Sequence, residues 1–202
     1  MILYGRTVSP FVRRVALWLD LQGRAYEHVP LLVMDDFERL KTVNPFGRVP
    51  ALKLDDGVVL VETWAIIDYL EDTAPDGKRL LPQSGPARML ALQAIACAHS
   101  AAEKGVALVY ETVRRPTDLH WADWIARVRG QAMTGLDLLE RQAPSLSVET
   151  NPAVTAATVA TFDFFQVMLP PAISESYPAL RALSDAANAH PAFAASRPPR
   201  PT

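Results

Sequence analysis

Apolar residues in the second half of the chain recur at three- and four-residue steps, most clearly at Trp121, Trp124, Ile125, Val128, Ala132, Leu136 and Leu139. That is the spacing of one face of an α-helix. Breaks at Gly85-Pro86, Arg115-Pro116, Ala143-Pro144, Pro170-Pro171 and Pro178 divide this half into predicted helices near 87–114, 119–142, 155–168 and 178–189. The first half has another rhythm. Short apolar runs (Met1 to Tyr4, Tyr26 to Leu31) alternate with helical ones (Val12 to Leu21, Phe37 to Val43). The gap between the two short runs is long enough for the crossover that a parallel strand pair needs. Val49 to Leu54 and Val58 to Val61 flank the turn Asp55-Asp56-Gly57, which predicts a hairpin, and Thr63 to Thr73 returns to helical spacing. The predicted order is βαβαββα, then helices only.

Alanine usage sharpens this division: residues 1–80 hold 5 alanines and residues 81–202 hold 25. Alanine is the strongest helix former, so the pattern predicts an α/β domain over 1–76, a Pro/Gly-rich linker over 77–86 and an all-helical domain over 87–202. The tail after His190 is proline-rich and expected to fray at its end. A formal charge of -2, with no basic run longer than two residues, argues against nucleic acid as a partner. The longest stretch without a charged residue, Met89 to Ala102, is 14 residues, short of the about 20 that span a membrane. One cysteine, Cys97, allows no internal disulfide, and the N-terminus turns polar before a secretory apolar stretch is complete. A reducing, cytoplasmic setting is expected. His28, His99, His120 and His190 are scattered and no Cys/His cluster exists, so no metal site is expected.

Three local motifs carry the chemistry. Ser9-Pro10-Phe11 stands where the first strand gives way to a helix: serine suits an N-cap and proline the first helical turn, while the positive end of that helix also favours an anion. Asn44-Pro45-Phe46-Gly47-Arg48-Val49-Pro50 precedes the third strand, and Glu62-Thr63-Trp64 follows the fourth. Thr63 is another natural cap.

In their order and spacing, with Tyr177-Pro178 and His190-Pro191 near the end, these motifs resemble the cytosolic glutathione S-transferase family of the bacterial, serine-type kind. The resemblance runs from Ile2 to about Pro198. It implies a thioredoxin-like N-terminal domain followed by a helical bundle, with glutathione as co-substrate and the family's role in detoxification. Ser9 matches the serine that donates a hydrogen bond to the glutathione sulfur and favours the thiolate, Thr7 and Tyr4 being nearby hydroxyls for the same role. Val49-Pro50 resembles the family's cis-proline step, whose backbone pairs with the glutathione cysteinyl group. Arg48 matches a basic position facing the glycine carboxylate, with Lys41 as an alternative, and Glu62-Thr63 matches the pair that holds the γ-glutamyl zwitterion. Phe11, Tyr110 and Trp121 are candidates for the second-substrate pocket. A Ser/Thr-x-x-Asp capping box expected in the helical domain finds its best match at Thr158-Val159-Ala160-Thr161. The implied activity is transfer of glutathione to a small hydrophobic electrophile by a homodimer. Glutathione-dependent isomerase, lyase or dehalogenase chemistry is one alternative, and a non-catalytic binding or scaffold role is another.

Overall fold

The computed structural model describes residues 1–170, 173 and 175–199. The first half forms β1 (Ile2–Tyr4), α1 (Pro10–Leu21), β2 (Glu27–Val29), α2 (Phe37–Lys41), β3 (Ala51–Lys53), β4 (Val59–Val61) and α3 (Thr63–Asp72). These strands make one sheet in the order β2-β1-β3-β4. β1 runs parallel to β2, because α1 carries the chain back between them, and antiparallel to β3. The Asp55–Gly57 turn folds β4 against β3 with Leu52 opposite Leu60. This is the thioredoxin-like sheet the motifs imply, with strands of three residues each.

Helices follow: α4 (Gly85–Val109), α5 (Ala122–Gln142), α6 (Pro152–Met168), α7 (Pro178–Ala187) and α8 (Pro191–Ala195). The tail therefore carries a short helix, with Pro191 in its first turn and the side chain of His190 accepting from the Ala192 amide at 3.3 Å. The predicted helix over 87–114 changes character at its end. α4 gives way to a π-helical turn, Tyr110–Arg114, closed by an Arg115 N–H to Tyr110 C=O bond of 2.9 Å.

α1 is the centre of the molecule. It packs against α3, α4, α6 and α8, so nearly its whole surface is buried, including Arg13 and Arg14. A helix enclosed on all sides cannot leave its polar residues to water, and Arg13 is met from the helical half. Its guanidinium is paired with Asp163 of α6 and donates to the Asn188 Oδ1 at 2.7 Å. Asp163 also accepts from the Ser184 hydroxyl (2.5 Å) and the Asn188 amide (3.0 Å). One apolar core runs from Leu3 and Leu52 of the sheet through Trp18 to Phe162 and Phe193.

Two carboxylates, Glu71 buried and Glu140 half-buried, fasten segments that the sequence pattern leaves loose. Glu71 accepts from the Trp18 indole at 2.8 Å and from the Leu80 and Leu81 amides at 3.1 Å each, holding the 77–86 segment against α1 and α3. Glu140 of α5 accepts from the Ala179 and Leu180 amides, both at 2.8 Å, and so caps α7 from another helix. Thr158-Val159-Ala160-Thr161 is not a capping box. α6 begins at Pro152, so these residues lie inside it, where the Thr161 hydroxyl donates to the Ala157 carbonyl at 2.8 Å and the Thr158 hydroxyl is buried without a partner among the described residues.

Candidate active site

β1 and α1 are joined by the loop 5–9, which turns back tightly over the start of the helix. Gly5 makes this possible: its φ is +119°, and a Cβ there would stand 2.6 Å from Val12 Cγ2 and 2.8 Å from Val49 Cβ. Ser9 takes the N-cap position, φ −66° and ψ 123°, with Pro10 in the first turn. Its hydroxyl oxygen accepts from the Val12 amide at a long 3.4 Å. The cap is loose, and the O–H proton plays no part in it.

Across from this hydroxyl, the Val49-Pro50 peptide bond is cis, as the motif implies. The β1–β3 ladder stops at the Tyr4–Ala51 pair, two residues short of Val49. Asn44, buried, fixes the approach: its amide donates to the Arg48 carbonyl at 2.7 Å, and its oxygen accepts from the Phe46 amide at 3.1 Å.

A cavity of about 240 Å³ opens at this point. Ser9, Phe11 and Val49 line it from the α/β half, Val109, Tyr110 and Phe164 from the helices, and residues 31–35 close the remaining side. Of the sequence-derived candidates the structure thus brings together Ser9, Phe11, Arg48, Val49 and Tyr110. Trp121 lies elsewhere. It precedes α5, is 65% exposed and stacks on Trp124 with ring centroids 6.4 Å apart. Lys41 pairs with Glu38 at 3.3 Å, and Tyr4 and Thr7 do not line the cavity.

Glu62 and Thr63 stand beside the cavity rather than in it, tied to it by Arg48, whose guanidinium lies 3.3 Å from the Glu62 carboxylate. The sequence reading assigns those two side chains to opposite ends of a tripeptide, whereas the structure pairs them. Glu62 is the one non-glycine among the described residues with positive φ, 68°. Such a backbone persists only where its surroundings hold it, and it marks the residue as a functional candidate. Thr63 is buried at the start of α3.

Sequence reasoning missed what lies behind this pair. His99 of α4 sits between the rings of Phe11 (5.2 Å) and Trp64 (5.4 Å). Its Nδ1 is 3.3 Å from the Arg14 guanidinium and its Nε2 is 3.6 Å from the Glu103 carboxylate. A guanidinium only donates, so Nδ1 accepts and the ring proton sits on Nε2, facing Glu103. Burial, with Arg14 adding to it, holds the His99 pKa below its ordinary value. Complete burial likewise brings Arg14 down to about 10. A lone histidine in an alanine-rich helix gives no sign of this in the sequence.

Among the described residues no helix is long and apolar enough to cross a membrane, and no group of three or more His, Cys, Asp or Glu side chains could hold a metal ion.

Comparison with known proteins identifies the family. A family model described as the N-terminal domain of glutathione S-transferase matches residues 3–79. The maleylacetoacetate isomerase of Pseudomonas aeruginosa is 31% identical over 96% of this chain and 93% of its own length. The mouse maleylacetoacetate isomerase is 42% identical over 94 residues, which span 44% of this chain and 43% of that protein. A glutathione transferase family member from Pseudomonas fluorescens Pf-5, solved with bound glutathione, superposes with a TM-score of 0.85 at 27% identity and covers 98% of each chain. The chain belongs to the glutathione S-transferase family.

Proposed function

We propose that this protein is a glutathione transferase that binds reduced glutathione along Val49-Pro50 and Glu62-Thr63 and directs its sulfur to Ser9. The observation that carries the reading is the Ser9 hydroxyl, loosely held at the head of α1, opening into a cavity beside a cis proline. The Ser9 O–H donates to the sulfur and the helix N-terminus favours its negative charge, so the thiolate is populated near neutral pH. The Val49 backbone pairs with the cysteinyl unit, and Glu62 with the α3 N-terminus takes the γ-glutamyl zwitterion. Arg48 leaves Glu62 for the glycine carboxylate when the peptide binds. Phe11 and Tyr110 face the second substrate, and catalysis is thiol activation plus proximity.

In this reading residues 1–76 are the glutathione-binding domain, 77–86 the connection and 87–202 the electrophile side. The assembly is a homodimer. The exposed Trp64, Met89 and Leu90 of α3 and α4 give it an apolar contact face. The need for reduced glutathione fits a reducing cytoplasm.

A second reading has one specific support, the near full-length relative named maleylacetoacetate isomerase. There the thiolate adds to a double bond, the carbon–carbon bond rotates, and the thiolate leaves again.

Calorimetric titration with reduced glutathione tests the site: micromolar to millimolar binding is expected, and Glu62→Ala should abolish it. Ser9→Ala should keep glutathione affinity within about threefold and lower the conjugation rate with a chloronitrobenzene by about 10- to 100-fold, the worth of one hydrogen bond to a charged group. An unchanged rate removes Ser9 from the chemistry. Glutathione-dependent conversion of maleylacetoacetate, with no net consumption of glutathione, would favour the isomerase.

A further inference from the structure

The polar lining of the cavity is unbalanced: Arg6, Arg48 and Arg114 face one carboxylate, Asp35. Arg48 is engaged with Glu62. The guanidinium groups of Arg6 and Arg114, both exposed, have no hydrogen-bond or ion-pair partner among the described residues. The acid nearest Arg114 in sequence, Glu111, is taken by Arg115 in a two-pronged pair at 2.7 and 3.0 Å.

The π-helical turn sets Arg114 squarely toward the cavity. Val106 and Val109 of α4 and Tyr110, the first residue of the turn, define the lining face. In an uninterrupted α-helix the next residue on that face is Val113, seven positions or about two turns past Val106, with Arg114 at its edge. The π turn takes one extra residue, as the Arg115 to Tyr110 bond spanning five positions shows. The register moves on by one: Val113 is 57% exposed and outside the lining, and Arg114 takes its place. Such turns are rare and concentrate at functional sites.

We infer that Arg114, assisted by Arg6, makes the cavity selective for a second substrate that carries a carboxylate on its carbon chain. The inference rests on the glutathione-transferase reading above and narrows its substrate class from hydrophobic to amphiphilic. The acid end meets the guanidinium groups, and the carbon chain lies against Phe11, Val106 and Phe164 with its reactive carbon toward Ser9. Asp35, on the facing segment, disfavours a second negative charge next to it.

Glutathione conjugates of matched size test this. S-(carboxymethyl)- and S-(3-carboxypropyl)glutathione are titrated calorimetrically beside their uncharged amides and free glutathione, on the wild type, Arg114→Gln and Arg115→Gln. Thermal melts check that each variant is folded. The wild type should bind at least one acid about tenfold more tightly than its amide, the scale of a charge-assisted hydrogen bond at a half-open site. Arg114→Gln should shrink that preference to within twofold with glutathione affinity unchanged, and Arg115→Gln should retain it. If glutathione binds but acids and amides bind alike, or the preference survives in Arg114→Gln, the inference falls and the glutathione site stands. If neither glutathione nor any conjugate binds, the transferase reading fails and takes the inference with it.

Discussion

Replacing Asp163 by asparagine tests how the two halves of the chain are joined. The change keeps volume and shape and removes only the charge. Asp163 is nearly inaccessible, and its two oxygens serve three donors, from Arg13, Ser184 and Asn188. Asparagine can turn its amide toward Ser184, whose hydroxyl oxygen already accepts from Asn188 at 3.2 Å and has a second lone pair, and keep its oxygen on Arg13 and Asn188. Those two hydrogen bonds survive and the counter-charge is lost. Arg13 is fully buried, and burial is the largest influence on it, lowering its pKa against the pull of Asp163. Removing one member of such a buried pair costs about 3–5 kcal/mol, and the surviving bonds place Asp163→Asn near the lower figure, about 3 kcal/mol. For a chain of this length that is roughly 6–12 °C in Tm. Urea unfolding followed by tryptophan fluorescence, at one protein concentration because the stability of the proposed dimer depends on it, gives the difference in midpoint at unchanged slope. The double variant Arg13→Met/Asp163→Leu should recover most of the loss, since neither charge is then left buried alone. A loss under about 1 kcal/mol, or a double variant no better than the single, would refute the view that this pair is a fully desolvated junction.

Burial pushes the Asp20 carboxyl up to about 6, against smaller opposing effects of the Tyr26 hydrogen bond and His28. Its folded pKa lies above the unfolded value, so stability from the bound proton is complete below about pH 4 and is lost as pH rises through 6. Asp20→Asn should therefore gain about 1 kcal/mol on the wild type between pH 4 and 7, a figure discounted for this half-exposed side chain; parallel pH profiles would contradict it. Glu62→Gly should hold or raise Tm by relieving the positive φ, while weakening glutathione binding at least tenfold in calorimetry. Gly135→Ala should cost about 1–3 kcal/mol in urea unfolding, because its Cβ would stand 2.5 Å from that of Ala101. Gly130→Ala, with nothing within 4 Å, should instead gain up to about 1 kcal/mol from helix propensity.

Periodicity, proline breaks and the hairpin turn were enough to read the element order, because each is a local property of the chain. The helix starts at Ser9 and at Glu62-Thr63 were legible for the same reason, each lying at a junction whose capping chemistry is written within a few residues, whereas the cis bond before Pro50 followed from the family resemblance. The rest depends on contacts between distant segments. Arg13 looks like a surface residue until α6 supplies Asp163, 150 positions away. Glu140 caps a helix 39 residues on, and His99 acquires its meaning only from Arg14 and Trp64. Trp121 misled because an aromatic at helical spacing can begin a helix and face outward, and Thr158 because a match to a short pattern does not say where a helix starts.

The turn at Tyr110–Arg114 ties the lining of the cavity to the carbonyls its amides select. The Arg115 N–H is bonded to Tyr110, five residues back. Were the turn to adopt the regular four-residue bonding, the helix would tighten, bring an isopropyl group toward the lining and move the guanidinium to its edge. Both faces are encoded in the same five residues, so a substitution far from the cavity that biases this exchange would retune what it accepts without changing a residue that lines it.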